Sequence, residues 1–437
     1  MRRLYVADAD TEVRGRWAVQ RDRGIIRRFV GRQLGQRRTS TRRRRRGLTG
    51  AFLFSSRSRF DLSPNALALA LSSARSHPLL DLTESNPTRA GLPYDRDAIL
   101  ASLALPPSLL YEPCPFGLSA AREAVAGDLS ARGPAVDPSR VVLTASTSEA
   151  YALLFKLLCD PGDEVLVPCP SYPLFEHLAQ VESVRAVPYP LAYDGAWHVD
   201  LPALRAALSA RTRAIVTVNP NNPTGSYLKR AELDALAALG LPIVSDEVFA
   251  RYPLRDDGQP APSALDARGA TLVFALGGLS KLAALPQMKL AWIALGGEAA
   301  RMDAALARLE VIADAFLSVG TPVQHALPAL LTAGASTARA IRDRTRTNRA
   351  WLASAVVGSA ASLLDVEGGW YATLRLPRTQ TEERWVLAFL QKDGVLVHPG
   401  HFFDFEEEAY AVVSLLTPEA TFQAGARRIL DRVAREA

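Results

Sequence analysis

Ala214-Ile-Val-Thr-Val-Asn-Pro-Asn-Asn-Pro-Thr-Gly225 is the segment that indicates the fold most clearly. Its first five residues form an apolar run rich in β-branched side chains, which is typical of a buried strand. Its last seven residues combine asparagine, proline and glycine, which favour turns. In an open α/β sheet, ligands bind just beyond the carboxyl ends of the strands. The stretch therefore predicts a strand of a mainly parallel sheet that runs into a functional loop.

The same succession of an apolar run and a polar or turn-forming segment recurs from about residue 61 onward. It predicts further strands at residues 140–144, 164–168, 241–245, 271–275 and 290–294, and a helix at 149–159. A long helical pattern covers residues 299–358. Short apolar strands separated by helices indicate an α/β fold whose sheet has helices on both faces.

The 437-residue chain has an ordinary composition, with 48% hydrophobic and 22% charged residues. Its length is sufficient for two packed domains, because single cores stop growing at roughly 250–300 residues. No apolar run approaches the ~18 residues that mark a membrane helix. The three cysteines, at positions 114, 159 and 169, lack the spacing of a zinc site or a disulfide framework. We therefore expect a cytoplasmic protein with no membrane segment and no metal site.

The basic character of the chain is concentrated in its first 50 residues, which hold 16 arginines, no lysine and 4 acidic residues. Since the whole chain carries +6 and this segment +12, the remaining residues carry −6. We expect residues 1–55 to form a disordered arginine-rich tail, because a segment dominated by one charge repels itself. A nucleic-acid-binding arm and an organelle transit peptide remain open, and no specific nucleic-acid ligand is expected.

Three polar segments at the ends of predicted strands occur in a characteristic order: Asn219 to Gly225, then Ser245-Asp-Glu-Val-Phe249, then Leu279-Ser-Lys281. This order and spacing resembles the class I/II aminotransferase family, whose members are fold-type I enzymes that use pyridoxal 5′-phosphate (PLP). The resemblance covers roughly residues 60–437. It implies a sheet of the seven-stranded type and a smaller α+β C-terminal domain. The implied divisions are an N-terminal arm at 56–98, a large PLP-binding domain at 99–325 and a small domain at 326–437.

The resemblance also implies a role for each residue around the cofactor ring. Lys281, preceded by Ser280, matches the lysine that holds PLP as a Schiff base and later moves a proton, and an amine suits both tasks. Asp246 matches the carboxylate that keeps the pyridine nitrogen protonated, because an opposite charge stabilises the charged form. Asn222 matches the asparagine that hydrogen-bonds the 3′-oxygen, and Tyr172 matches the aromatic residue that stacks on the ring.

A second group of residues matches the positions that bind the cofactor phosphate. Ser146, Thr147 and Ser148 lie between a predicted strand and a predicted helix, where backbone N–H groups and hydroxyls bind anions. Lys289 occupies a position where the family usually has an arginine, and a lysine acts there as a point charge. Tyr111 matches a tyrosine that reaches the phosphate of the neighbouring subunit. The resemblance therefore implies a homodimer with a shared active site.

Two positions depart from the family pattern. Phe249 replaces a tyrosine that commonly donates to the 3′-oxygen, and we expect its absence to raise the pKa of the Lys281 Schiff base unless Tyr252 substitutes. Val412 occupies, in our alignment, the position of the arginine that binds the substrate carboxylate. We therefore expect either another cation at the substrate or an unusual substrate.

Three further residues are candidates for substrate binding. Arg375 is the best candidate for the missing carboxylate ligand, although a solvent-exposed strand residue explains it equally well. His401 lies in a loop that borders the substrate pocket in the family. Asn86 belongs to Ser85-Asn-Pro-Thr88, which resembles the family segment that closes over the substrate.

The predicted function is the transfer of an amino group from an amino acid to a 2-oxo acid in two half-reactions. Another PLP-dependent reaction on the same fold, such as a β-lyase or cyclase reaction, remains open, and Val412 strengthens that alternative. A more distant alternative is a DNA-binding regulator with an aminotransferase-like sensor domain, but residues 1–50 show no helix-turn-helix pattern.

Overall fold

The computed structural model describes residues 53–74, 78–255 and 262–437. Nearly all of the predicted arginine-rich tail, residues 1–55, lies outside the described residues. Within the described part of the chain, no helix is both long enough and apolar enough to cross a membrane. The cytoplasmic location stays a prediction.

The strands of the protein form one large sheet and two small ones. In chain order they are β1 (Leu80–Asp81), β2 (Val141–Thr144), β3 (Glu164–Cys169), β4 (Arg185–Tyr193), β5 (Trp197–Val199), β6 (Thr212–Val218), β7 (Ile243–Asp246), β8 (Val273–Gly278), β9 (Ala291–Gly296), β10 (Ser362–Leu363), β11 (Tyr371–Arg375), β12 (Val395–Leu396), β13 (His398–Pro399) and β14 (Tyr410–Ser414).

The helices lie between these strands. The α-helices are α1 (Ala66–Ser73), α2 (Arg96–Leu103), α3 (Ser119–Ser130), α4 (Thr147–Leu158), α5 (Phe175–Val181), α6 (Leu201–Ala207), α7 (Arg230–Ala237), α8 (Leu279–Leu282), α9 (Ala299–Asp314), α10 (Thr321–Ala355), α11 (Glu382–Asp393) and α12 (Glu419–Glu436). Short 3₁₀ turns occur at Ser56–Ser58, Pro106–Leu109, Pro138–Arg140, Ala264–Asp266, Pro286–Met288 and Gly400–Phe403.

The large sheet has the spatial order β2-β9-β8-β7-β6-β3-β4-β5. The central strands from β8 to β4 run parallel to one another, whereas β9 and the short edge strand β5 are antiparallel to their neighbours. This mostly parallel sheet confirms the predicted α/β class. Each strand predicted from the sequence is present, and no strand end differs from its predicted position by more than three residues.

Helices cover both faces of the large sheet because successive strand residues point to opposite sides. On one face, Val165 and Val216 pack in a core with helices α4 and α9. On the other face, Leu166 and Ile215 pack with helix α7. These alternating contacts explain why the strands read as continuous apolar runs in the sequence.

Strand β4 was not predicted from the sequence, because Pro188 and Pro190 argue against a strand. In the structure both prolines pair with β3. The other neighbour of β4, strand β5, pairs only with residues 191–193. The prolines therefore lie where β4 has a neighbour on one side only, and the missing N–H groups are tolerated there.

The C-terminal part of the chain builds a four-stranded antiparallel sheet with the order β10-β11-β14-β13. Helices α11 and α12 contribute Trp385, Phe389 and Phe422 to its core. The N-terminal segment joins this unit, because β1 pairs in parallel with β12. The 35-residue helix α10 leads from the large sheet to the small one, and the predicted boundary at residue 325/326 falls inside it. The domain boundaries stay predictions.

Candidate active site

The carboxyl ends of neighbouring strands bring the main site residues to one edge of the large sheet. Asp246 ends β7, and the Asn219–Gly225 loop follows the adjacent strand β6. The backbone N–H of Asn219 donates to the carbonyl of Asp246 at 2.8 Å. Lys281 lies in helix α8, directly after β8. The structure therefore brings together the segments that the sequence singled out.

Lys281 presents its amine to two aromatic rings. Its Nζ lies 4.9 Å from the centroid of the Trp370 ring and 5.7 Å from that of Phe249. Its backbone carbonyl accepts a hydrogen bond from the hydroxyl of Tyr252. Burial lowers the pKa of the amine to about 8, and the negative charge of Asp246 opposes that shift only in part. Near neutral pH, a neutral and nucleophilic amine is therefore much more accessible than at a solvent-exposed lysine.

Asp246 is buried, with 6% of its surface exposed. One carboxylate oxygen accepts from the hydroxyl of Tyr151 at 3.3 Å, and the other accepts from the backbone N–H of Val248 at 3.2 Å. Burial raises the pKa of this carboxyl to about 6, although both hydrogen bonds and the charge of Lys281 act in the opposite direction. A positive group placed beside Asp246 would stabilise the carboxylate.

Asn222 and its neighbour Asn221 have different surroundings although both are buried. The Asn221 amide donates to the Pro170 carbonyl and the Thr224 hydroxyl and accepts from the Ser171 hydroxyl. The Asn222 Oδ1 atom is buried without a partner among the described residues. Because an unpaired buried amide is costly, and because the two ends of an amide can exchange by a flip, Asn222 is available for a ligand.

The Asn219–Gly225 loop is held by a close approach at its last residue. Gly225 has φ +70°, and a Cβ there would lie 2.2 Å from Val366 Cγ2. Its carbonyl accepts from the backbone N–H groups of Glu367 and Gly368. The Gly369 N–H in turn donates to the Tyr252 carbonyl. These contacts fix the segment that places Trp370 over Lys281.

Ser146 is the N-cap of helix α4, and its hydroxyl accepts from the backbone N–H of Glu149 at 3.1 Å. Thr147 and Ser148 form the first turn and are half-buried. The Glu149 carboxylate accepts from the Ala145 N–H at 2.6 Å. The start of α4 thus combines a helix N-terminus with the hydroxyls of Thr147 and Ser148. It also holds the negative side chain of Glu149.

The remaining residues matched to the cofactor occupy varied surroundings. Tyr172 stands edge-on to Phe175, with the ring centroids 5.8 Å apart. Ser280 is half-buried in α8, next to Lys281. Lys289 is exposed and has a left-handed backbone with φ 52°. Tyr111 is 73% exposed.

The three substrate candidates are placed less favourably. Arg375 is exposed at the end of β11, where its Nε donates to the Ser362 hydroxyl. The His401 Nδ1 lies 2.8 Å from the buried carboxylate of Glu382, which also accepts from the backbone N–H of His401. The Asn86 amide oxygen accepts from the Thr88 backbone and hydroxyl within its own turn. The structure gives each of these residues a partner outside the Lys281 environment.

The two departures from the family pattern have structural explanations. Phe249 packs against Trp370 with the ring centroids 5.2 Å apart, so it forms part of the wall beside Lys281. Tyr252 donates to the Lys281 carbonyl and therefore does not substitute directly for the missing donor. Val412 is fully buried between Thr373 and His398 of the neighbouring strands, and its apolar side chain supplies no charge.

Sequence analysis missed Trp370 and Tyr151. Trp370 is fully buried and packs on the Tyr252 ring, with the ring centroids 5.0 Å apart. The sequence signal beside it was the Gly368-Gly369 pair, of which Gly369 donates to the Tyr252 carbonyl. Tyr151 lies one helical turn after Thr147, and residues four apart share one face of a helix. Its position in the helix was therefore the only sequence signal for Tyr151. Neither position is distinguishable from an ordinary core aromatic without the fold.

Comparison with known proteins assigns the family. The family model described as "Aminotransferase class I and II" matches residues 80–429. The glutamate-pyruvate aminotransferase AlaA of Escherichia coli (strain K12) is 30% identical over 306 residues, which cover 66% of this chain and 74% of that protein. An alanine aminotransferase of Mycobacterium bovis is 29% identical over 265 residues, which cover 59% of this chain and 61% of that protein.

The fold matches solved structures as well. An alanine aminotransferase from Pyrococcus furiosus superposes with a TM-score of 0.78 at 22% identity, covering 87% of this chain and all of the other. An aminotransferase from Escherichia coli gives a TM-score of 0.74 at 24% identity, covering 84% and 94%. The match of the family model to most of the chain, together with these relatives, shows that the protein is an aminotransferase and belongs to the class I and II family, whose members depend on PLP.

Proposed function

We propose that this chain holds PLP on Lys281 and transfers an amino group from an amino acid to a 2-oxo acid. The observation that carries the proposal is the Lys281 amine, which has a depressed pKa and lies beside Trp370 and within the field of Asp246. When bound, PLP supplies an aldehyde that reacts with amines and a ring that withdraws electrons from the substrate Cα.

The surroundings of Lys281 suit a group that must both hold and move a proton. Because burial lowers the pKa of its amine to about 8, the neutral form is accessible near neutral pH. The faces of the Trp370 and Phe249 rings attract the protonated form, since aromatic faces carry negative electrostatic potential. Tyr252 anchors the Lys281 backbone and so restricts where the amine can reach.

The other cofactor contacts follow from the positions of Asp246, Asn222 and helix α4. Asp246 would face the ring nitrogen, with Tyr151 holding its carboxylate in place. The Asn222 amide, whose Oδ1 has no partner among the described residues, would bind the 3′-oxygen of the cofactor. Ser146, Thr147 and Ser148, at the start of α4, would bind the phosphate. Lys289 would add a positive charge to that phosphate.

We also propose that two copies of the chain form a homodimer. Leu109, Leu110 and Tyr111 are 94%, 59% and 73% exposed, which is unusual for three large consecutive apolar residues. A second copy would cover this surface, and Tyr111 would then reach the partner's site. Sedimentation velocity tests this proposal: Leu109→Glu should produce monomers, and a wild-type protein that is already monomeric would contradict it.

The substrates are the least determined part of the proposal. The relatives are named for glutamate, pyruvate and alanine, so we propose these compounds as the first amino donors and acceptors to test. A β-lyase or cyclase reaction is the second candidate, because buried Val412 supplies no cation for a substrate carboxylate.

The decisive experiment incubates PLP-loaded enzyme with single amino acids and quantifies pyridoxamine phosphate and the released 2-oxo acid. Stoichiometric amounts of both products are expected for a transaminase. A product that lacks the β-substituent, together with unchanged PLP, would instead identify a lyase. Lys281→Ala should abolish both reactions, whereas Lys156→Ala, on the surface beside Glu182, should leave them unchanged.

A further inference from the structure

A cavity lies beside residues 247–253, on the side of that segment opposite to Lys281. It has a volume of ≈ 620 Å³ and lies between the end of helix α3, the middle of helix α10 and residues 247–253. Its wall includes Glu247, Ala250 and Arg251. None of the residues that were matched to the cofactor or the substrate contributes to this wall.

The segment between the cavity and the Lys281 site presents different residues to each. The segment contains two successive turns. The Ala250 N–H donates to the Glu247 carbonyl, and the Tyr252 N–H donates to the Phe249 carbonyl. Hydrogen bonds of this spacing place residues three apart on the same side. Phe249 and Tyr252 therefore point to the Lys281 side, whereas Glu247, Ala250 and Arg251 line the cavity. A ligand in the cavity would contact the backbone that positions Lys281.

The cavity is rich in arginine. Its lining contains four arginine side chains, namely those of Arg132, Arg251, Arg339 and Arg342. The only carboxylate in that lining among the described residues is Glu247. Its oxygens already accept from the hydroxyls of Ser245 and Ser263 and from the Ala264 N–H. Within the described residues, the four arginines therefore outnumber the acidic groups that line the cavity.

The charge of these arginines is only partly neutralised. Asp128 at the end of α3 pairs with both Arg132 and Arg251. In the described part of the chain, Arg339 and Arg342 form no ion pair, and the buried Nε of Arg132 has no hydrogen-bond partner. Burial lowers the pKa of the Arg251 guanidinium, and the like charge of Arg132 acts in the same direction although Asp128 opposes it.

We propose that this arginine-lined cavity binds a small multivalent oxyanion, such as a phosphate compound or a di- or tricarboxylate. Guanidinium groups suit such ligands because their planar forks donate two parallel hydrogen bonds to carboxylate or phosphate oxygens. The cavity is large enough for a ligand of that size. The charges of Arg251 and Arg342 already act on the Tyr252 hydroxyl, so an anion between them would also change the field near Lys281. This proposal does not depend on the proposed function.

Isothermal titration of the full-length, PLP-loaded protein with pyrophosphate and, separately, with citrate tests the proposal at ~150 mM salt. PLP loading keeps the proposed phosphate-binding site at the start of α4 occupied. The two probes distinguish phosphate from carboxylate ligands. At least one probe should bind the wild-type protein saturably. Arg339→Gln/Arg342→Gln should weaken this binding at least about tenfold, since two charge-assisted contacts are lost.

The matched control is Arg301→Gln/Arg308→Gln, which removes two exposed arginines from helix α9 and should change the affinity less than about twofold. Any binding by the arginines of residues 1–50 is common to all three proteins and cancels in the comparison. Thermal melting verifies that each variant is folded, and Arg339→Lys/Arg342→Lys should weaken binding by an intermediate factor. Equal affinity in the three proteins, or no saturable binding of either probe by the wild type, would overturn the proposal.

Discussion

The Lys281 Nζ lies 4.9 Å from the centroid of the Trp370 ring. Lys281 follows β8 of the large sheet, and Trp370 precedes β11 of the C-terminal sheet, so this contact joins the two parts of the protein at the site. Its geometry is that of a cation–π interaction, which is worth ~2 kcal/mol in a desolvated setting. The segment that precedes the C-terminal sheet therefore contributes directly to the environment of the Lys281 amine.

Trp370→Leu should lower the pKa of the Lys281 amine by about one unit, because the favourable ring face is lost while the amine stays buried. The pKa can be measured in cofactor-free protein from the pH dependence of acylation at Lys281, followed by peptide mapping. Trp385→Leu is the matched control, since Trp385 is also fully buried but stacks on Phe389. Both variants should lose stability by ~3 kcal/mol or more. An unchanged amine pKa in Trp370→Leu would count against the interaction.

Asn222→Ala should cost the cofactor-free protein little stability, whereas Asn221→Ala should cost it ~2–3 kcal/mol. The difference arises because Asn221 has three side-chain hydrogen bonds and the Asn222 oxygen has no partner among the described residues. Urea unfolding measures both effects. In PLP titrations Asn222→Ala should bind the cofactor at least about tenfold more weakly. The opposite ranking in stability would show that Asn222 is a structural residue.

Asp246→Asn should become increasingly stabilising in cofactor-free protein as the pH rises from 4 to 7. Burial raises the pKa of Asp246 from its ordinary 3.8 to about 6, so the folded state binds the proton more tightly than the unfolded state. Stability from this group is therefore present at low pH and is lost as the pH rises through 6. The expected gain is on the order of 2–3 kcal/mol at pH 7.

The control for this pH dependence is Asp163→Asn. A hydrogen bond from Arg213 lowers the pKa of Asp163, so its stabilising effect is present above its unfolded pKa and is lost on acidification. Asp163→Asn should therefore be destabilising by a nearly constant amount from pH 4 to pH 7, because its stabilising effect is lost only below the unfolded pKa of 3.8. Thermal melting from pH 4 to pH 7 measures both variants. A parallel pH trend in the two would refute the assignment of the raised pKa to Asp246.

Tyr252→Phe should destabilise the protein by ~1–2 kcal/mol, because the Lys281 carbonyl loses the Tyr252 hydroxyl as a donor and retains the backbone N–H of Ala284. Tyr189→Phe is a close match, since the Tyr189 hydroxyl donates to the Val216 carbonyl in the interior. The two variants should lose similar stability in urea unfolding. Only Tyr252→Phe should also slow the acylation of Lys281 or change its pH profile. If Tyr189→Phe changes that profile equally, then the effect is one of general stability.

The sequence predicted the sheet because buried parallel strands have a strong and local signature. The runs that became β6 and β7 are apolar over four or more residues and end in polar segments, so their assignment required no tertiary information. Strand β4 was hidden because the cost of Pro188 and Pro190 depends on which neighbours the strand has. That information exists only in the assembled sheet.

The site was predictable only where chemistry fixes the residue type. Lys281, Asp246 and Asn222 lie at the ends of adjacent strands, and their order along the chain was sufficient to propose them as site residues. Trp370 was not identifiable, because a buried tryptophan is an ordinary core residue until its distance from Lys281 is known. Arg375 was chosen for its charge alone, and the structure places it at an exposed strand end. The expected rise in the pKa of the Lys281 Schiff base stays a prediction.

We expect PLP to be attached to Lys281, and borohydride trapping reports on this linkage itself. PLP-loaded protein is reduced, digested and mapped by mass spectrometry. We predict a single phosphopyridoxyl-modified peptide that contains Lys281, and no modified peptide from Lys281→Ala. Stoichiometric modification of Lys289 or of any other lysine in the wild-type protein, with Lys281 unmodified, would contradict the account.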